Sequence, residues 1–309
     1  NRPDTADIYH VVRHEVLTEK DVFEEPDQIS VLATKISVQF PNLSIPEKVD
    51  EFCNILSLTK KQQERIAEIT RGQSNTCEWQ KFRTGLITAT KLLPVIRKFD
   101  EKLNIKNIES ATALVADILQ YNPPVSTKAT RWGIANEPLA RELYRRKLAT
   151  AHSNLRLKET GLLISTDTPF LGASPDCLVS CDCCGEGLAE MKVTWAHREK
   201  KIEELAAING TCFEIFKGRL RVKRNHQYFY QVQMQLAISK RLYCDLFYMS
   251  SVDQFVERIT FDCALWESAL PKLKKFFTGF ILPELFTHKI EAAYVAKNTL
   301  KYLLDKVCN

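Results

Sequence analysis

Residues 187–193 form an apolar stretch that reads as a strand, yet it contains an acid and a lysine. Glu190 and Lys192 lie two residues apart, and because side chains alternate across a strand, both point to one face. Burying these charges costs several kcal/mol unless they pair with each other or bind a metal. The stretch therefore predicts a charged site within a sheet. The alternative, an exposed cross-strand ion pair, stays open from these residues alone.

A second acid precedes this strand. Asp176 ends or follows the strand predicted at 169–179, and the Gly-containing sequence at 183–187 suits a hairpin turn. Folding back at this turn would bring Asp176 level with Glu190. Paired carboxylates are the hard oxygen ligands that Mg²⁺ prefers, and a neighbouring lysine can position an attacking water. The pattern favours metal-dependent cleavage of a phosphodiester, for which Mg²⁺ supplies charge neutralisation and water activation.

The hydrophobic period along the chain predicts a mixed α/β domain, with a central mixed sheet flanked by helices and an N-terminal helical extension. Residues 1 to about 45 read as an irregular lead-in. We divide the chain into a lead-in and helix at 1–58, a nuclease domain at 59–290 and a C-terminal helix at 291–309. The elements predicted within the domain are helices at 60–71, 107–120, 128–149, 227–239 and 264–277, and strands at 160–165, 169–179, 187–193, 242–249 and 254–260.

Composition narrows the classes of partner. The 43 Lys and Arg residues exceed the 38 Asp and Glu residues, so the net charge of +5 permits nucleic-acid binding without showing it. No apolar run is long enough to span a bilayer, so no membrane association is expected. Of the ten cysteines, those at 53, 77, 212, 244, 263 and 308 are scattered, and no signal peptide opens the sequence. We therefore expect reduced thiols in an intracellular protein, nuclear if the source is eukaryotic.

Four separated motifs carry a family resemblance. They are Trp79…Arg83-x-Gly85-x-Ile87-Thr88-Ala89-Thr90, Gly133-x-x-x-Glu137-x-x-Ala140-x-x-x-Tyr144, Ser174-Pro175-Asp176 with Glu190-x-Lys192, and Tyr228-x-x-Gln231-Val232-Gln233-x-Gln235-Leu236. In this order they resemble the YqaJ viral recombinase, or lambda exonuclease, family of the D–(D/E)xK nuclease superfamily. The likeness extends from about residue 59 to 287.

The resemblance implies a restriction-endonuclease-like core and a Mg²⁺-dependent DNA nuclease, with Mn²⁺ able to substitute. The activity it implies is 5′-to-3′ digestion of double-stranded DNA ends. The alternatives are an endonuclease or single-strand nuclease on the same core, or a catalytically retired DNA-binding or recombination protein. It also implies a homotrimer and a single-strand annealing or recombination partner.

The resemblance also assigns residue roles. The metal would be held by Asp176, Glu190, the carbonyl of Met191 and, directly or through water, Glu137, while Lys192 orients the nucleophilic water. The phosphate near the cut would be gripped by Arg83, Thr90, Ser174 and Gln231, with Lys192 sharing that role. This sequence departs from the family pattern in having Thr90 for serine, which keeps the hydroxyl, and Met191 for a branched apolar residue.

Each candidate has a plainer interpretation. Glu137 could be a solvated helix acid, with Pro138 marking a kink or a new helix start beside it. The glutamine face around Gln231 could be an amide-rich surface. Tyr228 could stack on DNA bases or pack in the core. The basic run from Lys217 to His226 could contact DNA backbone or simply be solvated.

Three cysteines lie close together at 181, 183 and 184. Three cysteines fall within four consecutive positions, a crowding that most zinc sites do not show, so a structural zinc is not expected. Cys177 or His226 could complete a ligand set, but nothing in the sequence selects either.

Overall fold

The computed structural model describes residues 25–99, 104, 108–122 and 125–296. Its helices are α1 (Ile29–Gln39), α2 (Ile45–Ile55), α3 (Lys60–Ile69), α4 (Cys77–Arg83), α5 (Leu92–Ile96), α6 (Ile108–Ile118), α7 (Lys128–Ala149), α8 (Gln227–Ser239), α9 (Cys263–Phe276) and α10 (Leu282–Thr287). Its strands are β1 (Ile87–Thr88), β2 (Arg156–Lys158), β3 (Leu163–Ile164), β4 (Leu171–Ala173), β5 (Cys177–Cys181), β6 (Gly185–Val193), β7 (Phe213–Phe216), β8 (Arg219–Val222), β9 (Tyr243–Met249) and β10 (Gln254–Thr260).

A five-stranded mixed sheet in the order β10-β9-β6-β5-β2 forms the centre of the molecule. β6 pairs antiparallel with β5 and parallel with β9, so it lies in the middle of the sheet. A small sheet β1-β4-β3 and the hairpin β7-β8 complete the strands of the described part. The predicted mixed α/β fold with flanking helices is confirmed.

The two faces of β6 pack against different helices. Ala189 and Met191 lie in one apolar cluster with Ala140 and Tyr144 of α7. Leu188 lies in another with residues of α8, among them Val232 and Leu236. Because strand side chains alternate, Glu190 and Lys192 point with Leu188 toward α8.

The N-terminal part differs from prediction. The irregular lead-in is wrong for residues 29–39, which form α1; residues 1–24 lie outside the described part. Ile29 and Ile36 are buried in the same cluster as β1, β4 and α9, so burial in the core offsets the weak local signal. In α2, Phe52 packs edge-on against Phe277 at a ring-centroid distance of 6.1 Å.

Other differences concern where helices and strands are interrupted. The strand predicted at 169–179 is two strands, β4 and β5, separated by Ser174 and its neighbours. α7 runs through Pro138 as one helix, so the predicted new helix start is wrong. Of the C-terminal helix predicted at 291–309, residues 291–296 are helical and the rest lie outside the described part. Among the described residues, no helix is long and apolar enough to span a membrane.

Candidate active site

Asp176 and Glu190 face each other across the β5–β6 ladder. Cys177 is paired with Ala189, so the residue before Cys177 lies level with the residue after Ala189. The Oδ2 atom of Asp176 accepts a hydrogen bond of 2.6 Å from the backbone N–H of Met191. The structure thereby brings together two of the predicted metal ligands and the main chain of the third.

Glu190 is a buried acid, 3% exposed, whose carboxylate is surrounded by donors. Its Oε1 accepts from Lys192 Nζ at 2.6 Å and from Gln231 Nε2 at 2.5 Å. Its Oε2 accepts from Gln235 Nε2 at 2.6 Å. Gln231 and Gln235 lie one helical turn apart on α8, so the helix presents both amides to a single carboxylate. The predicted glutamine face is therefore a buried support for Glu190 and not a surface.

Lys192 is held between an acid and an aromatic ring. Besides its bond to Glu190, its ammonium nitrogen lies 4.8 Å from the ring centroid of Tyr228. Burial acts to lower the pKa of Lys192, but the negative charge of Glu190 outweighs it and the net pKa is raised. Lys192 is therefore a permanent positive charge at this site, and Tyr228 packs against it within the protein.

Negative charge is concentrated around Asp176. Burial raises the pKa of Asp176 well above its ordinary value, and the charges of Glu190 and Glu137 raise it further, whereas Lys192 lowers it. A divalent cation bound beside Asp176 would offset the repulsion between these negative charges. The donor set of hard oxygen atoms fits Mg²⁺.

Glu137 approaches this group from α7. Its side chain is 37% exposed, and its Oε1 accepts from Arg141 Nη2 at 2.8 Å, one turn along the helix. Arg141 also pairs with Glu159, and Asp176 is among the charges that raise its pKa against the lowering effect of burial. Arg141 therefore pairs with Glu137 and interacts electrostatically with Asp176, a role that the sequence analysis missed.

Trp79 contacts both Arg83 and Ser174. The guanidinium carbon of Arg83 lies 4.5 Å from the Trp79 ring centroid, and the indole N–H donates to Ser174 Oγ at 2.9 Å. Burial lowers the pKa of the Arg83 guanidinium, opposed by Asp117. Trp79 stands in the family motif, but the sequence assigned it no role; in the structure it orients two predicted phosphate-binding residues.

Thr90 lies at the other side of this region, next to the start of α8. Its backbone carbonyl accepts from Gln227 Nε2 at 3.3 Å, and its hydroxyl lies 3.4 Å from that of Thr88. Gln231 follows one turn later on α8. The predicted phosphate-binding residues thus divide into two groups, one held by Trp79 and one at the N-terminal end of α8.

A separate cluster lies at the turn between β5 and β6. Cys181, Cys183 and Cys184 meet His152, which follows α7, and their ligand atoms all lie within 4.8 Å of one another. Neither Cys177 nor His226 belongs to this group; His226 instead caps the N-terminus of α8. The sequence analysis did not include His152, because it lies far from the cysteines along the chain. The two segments are joined by a hydrogen bond between Asn154 and Asp182, which are 28 residues apart.

Residues 78–241 match the YqaJ-like viral recombinase domain, and this span contains the described acids, Lys192 and both glutamines. The chain belongs to the YqaJ family. Among curated proteins there is no match to it. The YqaJ domain runs from α4 through α8, the elements that carry the site.

Two of the solved structures that resemble this YqaJ protein show the kind of likeness. The alkaline exonuclease LHK-Exo from Laribacter hongkongensis, crystallised with dAMP, is 26% identical, with a TM-score of 0.51 over 71% of this chain and 100% of the other. The RNA complex of SOX, from Kaposi's sarcoma-associated herpesvirus, is 12% identical, with a TM-score of 0.52 over 89% and 92% of the two chains. The second likeness is one of fold alone.

Proposed function

We propose that this YqaJ protein is a Mg²⁺-dependent DNA nuclease whose site is formed by Asp176, Glu190 and Lys192. The observation that carries the proposal is the buried environment of the Glu190 carboxylate. It is a buried carboxylate with three side-chain donors, beside a second acid. Burying charged groups in this way costs folding free energy, and such clusters are concentrated at functional sites.

The residues that would hold the metal are Asp176, Glu190, the carbonyl of Met191 and Glu137. When bound, Mg²⁺ supplies charge neutralisation at the phosphate and makes water more acidic. The protein contributes by fixing the carboxylates. Gln231 donates to one oxygen of Glu190 and Gln235 to the other, which restricts rotation of the carboxylate.

Lys192 has the role of positioning and charge stabilisation. Its pKa is raised, so it cannot serve as a base at neutral pH and acts as a donor. Its ammonium group has three protons and the structure fixes one of them on Glu190. The others can donate to the attacking water and to a phosphate oxygen, which stabilises negative charge as it develops on the phosphate.

The finer proposal is that the enzyme digests duplex ends from a 5′-phosphate. Arg83 and Ser174, both oriented by Trp79, supply a cation and a hydroxyl suited to a terminal phosphate. The likeness to an alkaline exonuclease supports an exonuclease over an endonuclease. The homotrimer and the annealing partner implied by the family stay predictions.

The direct test is digestion of a linear, 5′-phosphorylated duplex in Mg²⁺. We expect the wild-type protein to release nucleotides, and Glu190→Gln and Lys192→Ala each to lose about 100-fold or more in rate. The matched controls are Glu186→Gln, an exposed acid on the same strand, and Lys201→Ala, an exposed lysine; both should cut normally. Normal cutting by either site variant would place the active site elsewhere, and tight DNA binding without release in the wild type would favour a retired enzyme.

End specificity is tested separately. We expect closed-circular duplex to resist and a 5′-phosphorylated linear duplex to be preferred over its 5′-hydroxyl counterpart. Arg83→Ala should reduce this preference while leaving cleavage of the 5′-hydroxyl substrate nearly unchanged, because Arg83 is assigned to the terminal phosphate and not to the metal. Cleavage of the circle would indicate an endonuclease, and an unaltered preference in Arg83→Ala would remove Arg83 from the phosphate pocket.

A further inference from the structure

The cluster at the β5–β6 turn has the donor set of a structural metal site. Three sulfur atoms and one imidazole nitrogen come from Cys181, Cys183, Cys184 and His152. No described cysteine is in a disulfide. Three cysteines and a histidine are a set that proteins use for tetrahedral Zn²⁺, and soft thiolate ligands disfavour Mg²⁺.

The distances fit one metal ion. His152 Nδ1 lies 3.6, 3.2 and 3.5 Å from the sulfurs of Cys181, Cys183 and Cys184. Cys183 Sγ lies 3.5 Å from that of Cys181 and 3.8 Å from that of Cys184. A tetrahedron with Zn–S of about 2.3 Å and Zn–N of about 2.0–2.1 Å has edges of about 3.8 Å between sulfurs and about 3.6 Å between sulfur and nitrogen. The atoms therefore surround a space of the right size.

The backbone explains how so tight a spacing can converge. Cys181 ends β5, and the next two cysteines lie in the turn before Gly185, whose φ of 72° lets the chain reverse. A chain reversal within three residues brings sulfurs together that a strand would point apart. The histidine segment is fastened to the same turn, since Asp182 N–H donates to Ser153 O at 3.0 Å and Asn154 Nδ2 donates to Asp182 Oδ2 at 2.6 Å.

We propose that His152, Cys181, Cys183 and Cys184 bind a structural Zn²⁺. The ion would join the C-terminal end of α7 to the β5–β6 hairpin. These are the two elements that carry Glu137 and the acids of the sheet, so the zinc would fix their relative position. The site is distinct from the acid cluster, and the inference does not depend on nuclease activity.

The test is the metal content of the full chain, purified without added metal or chelator and measured by elemental mass spectrometry. We expect about one zinc per chain, as a single tetrahedral site requires. Cys183→Ser should lose it, whereas Asp176→Asn and the exposed-cysteine control Cys77→Ser should keep it. Zinc that follows Asp176 and not Cys183 would assign the metal to the acid cluster and overturn the proposal.

A measurement on the unaltered protein guards against variants that fail to fold. Titration with a mercurial that caps thiols should release zinc to a colorimetric chelator as the cluster reacts. Replacement by Co²⁺ should give the charge-transfer and visible bands of a tetrahedral thiolate complex. Intact-mass analysis that finds a disulfide among these cysteines, or folded protein without zinc, would overturn the proposal.

Discussion

At the scale of single residues, the site depends on Glu190 and the groups that hold it. The alternation of a strand predicted that Glu190 and Lys192 share a face, and the hairpin predicted that Asp176 lies opposite. The donors could not be predicted in the same way. Gln235 is 45 residues from Glu190 in sequence, and only the packing of α8 on the sheet brings them together. Arg141 was missed for a similar reason, because its second partner, Glu159, lies beyond the end of its helix.

The protonation of Asp176 gives a prediction about stability in metal-free protein. Burial and the neighbouring acids raise the pKa of Asp176 in the folded state. Between the unfolded and folded pKa values the folded state binds more protons, so stability falls as pH rises through that window. Asp176→Asn, which cannot ionise, should gain stability relative to wild type as pH rises, measured by urea unfolding in chelator across a pH series.

A control with the opposite sign is available. The pKa of exposed Asp167 is lowered by its hydrogen bond to Lys240 and by the lysine's charge. Asp167→Asn should therefore lose a little stability relative to wild type as pH rises through the acidic range. A stability difference between Asp176→Asn and wild type that stays constant with pH would mean that Asp176 does not titrate as described.

At the scale of elements, the sequence predicted the helices and strands whose hydrophobic residues recur with a clear period. The spans of α7 and α8 agree with the predicted helices, and β9 and β10 lie within one residue of the predicted strands. The hairpin β7–β8 was missed. Its turn uses Lys217 and Gly218 with φ of 50° and 74°, the twist of a primed turn, without the Asn-Gly pair that usually indicates one.

α7 is attached to the sheet by a buried polar contact as well as by apolar packing. Tyr144 donates from its hydroxyl to Asp245 Oδ2 at 2.9 Å, and Arg258 donates to both oxygens of Asp245. Asp245 is 1% exposed, so each donor offsets part of the cost of burying its charge. Glu137 lies on the same helix, which makes this contact part of the support for the proposed metal site.

Tyr144→Phe should therefore destabilise the fold. It removes one donor from a buried carboxylate without changing the packing of the ring, and the loss should be about 1.5–3 kcal/mol in the free energy of unfolding. Tyr294→Phe, at a half-buried tyrosine near the end of the described residues, is the matched control and should change little. Urea unfolding measures both; equal stability of Tyr144→Phe and wild type would show that Asp245 does not need this hydrogen bond.

At the scale of the whole molecule, the sequence could predict a nucleic-acid partner only weakly. Of the basic run at 217–226, Arg221 pairs with Glu214 and Arg224 with Glu257, so these charges also stabilise the fold. Lys217 and Arg219 are exposed at the tip of the β7–β8 hairpin, beside half-exposed Phe216. Net charge cannot distinguish a basic residue that pairs with an acid of the fold from one that is exposed to a partner. It does not depend on which acids lie next to each basic residue.

We propose above that Asp176, which precedes β5, Glu190 of β6 and Glu137 of α7 form one divalent metal site. Isothermal calorimetry of Mg²⁺ and Mn²⁺ binding tests it most directly, with Glu190→Gln and Asp176→Asn compared against wild type and the exposed control Glu186→Gln. We predict that the wild type and the control bind alike, and that each site variant loses affinity by roughly 100-fold or more. Wild-type affinity in both site variants, with their fold intact, would show that Asp176 and Glu190 do not hold the metal.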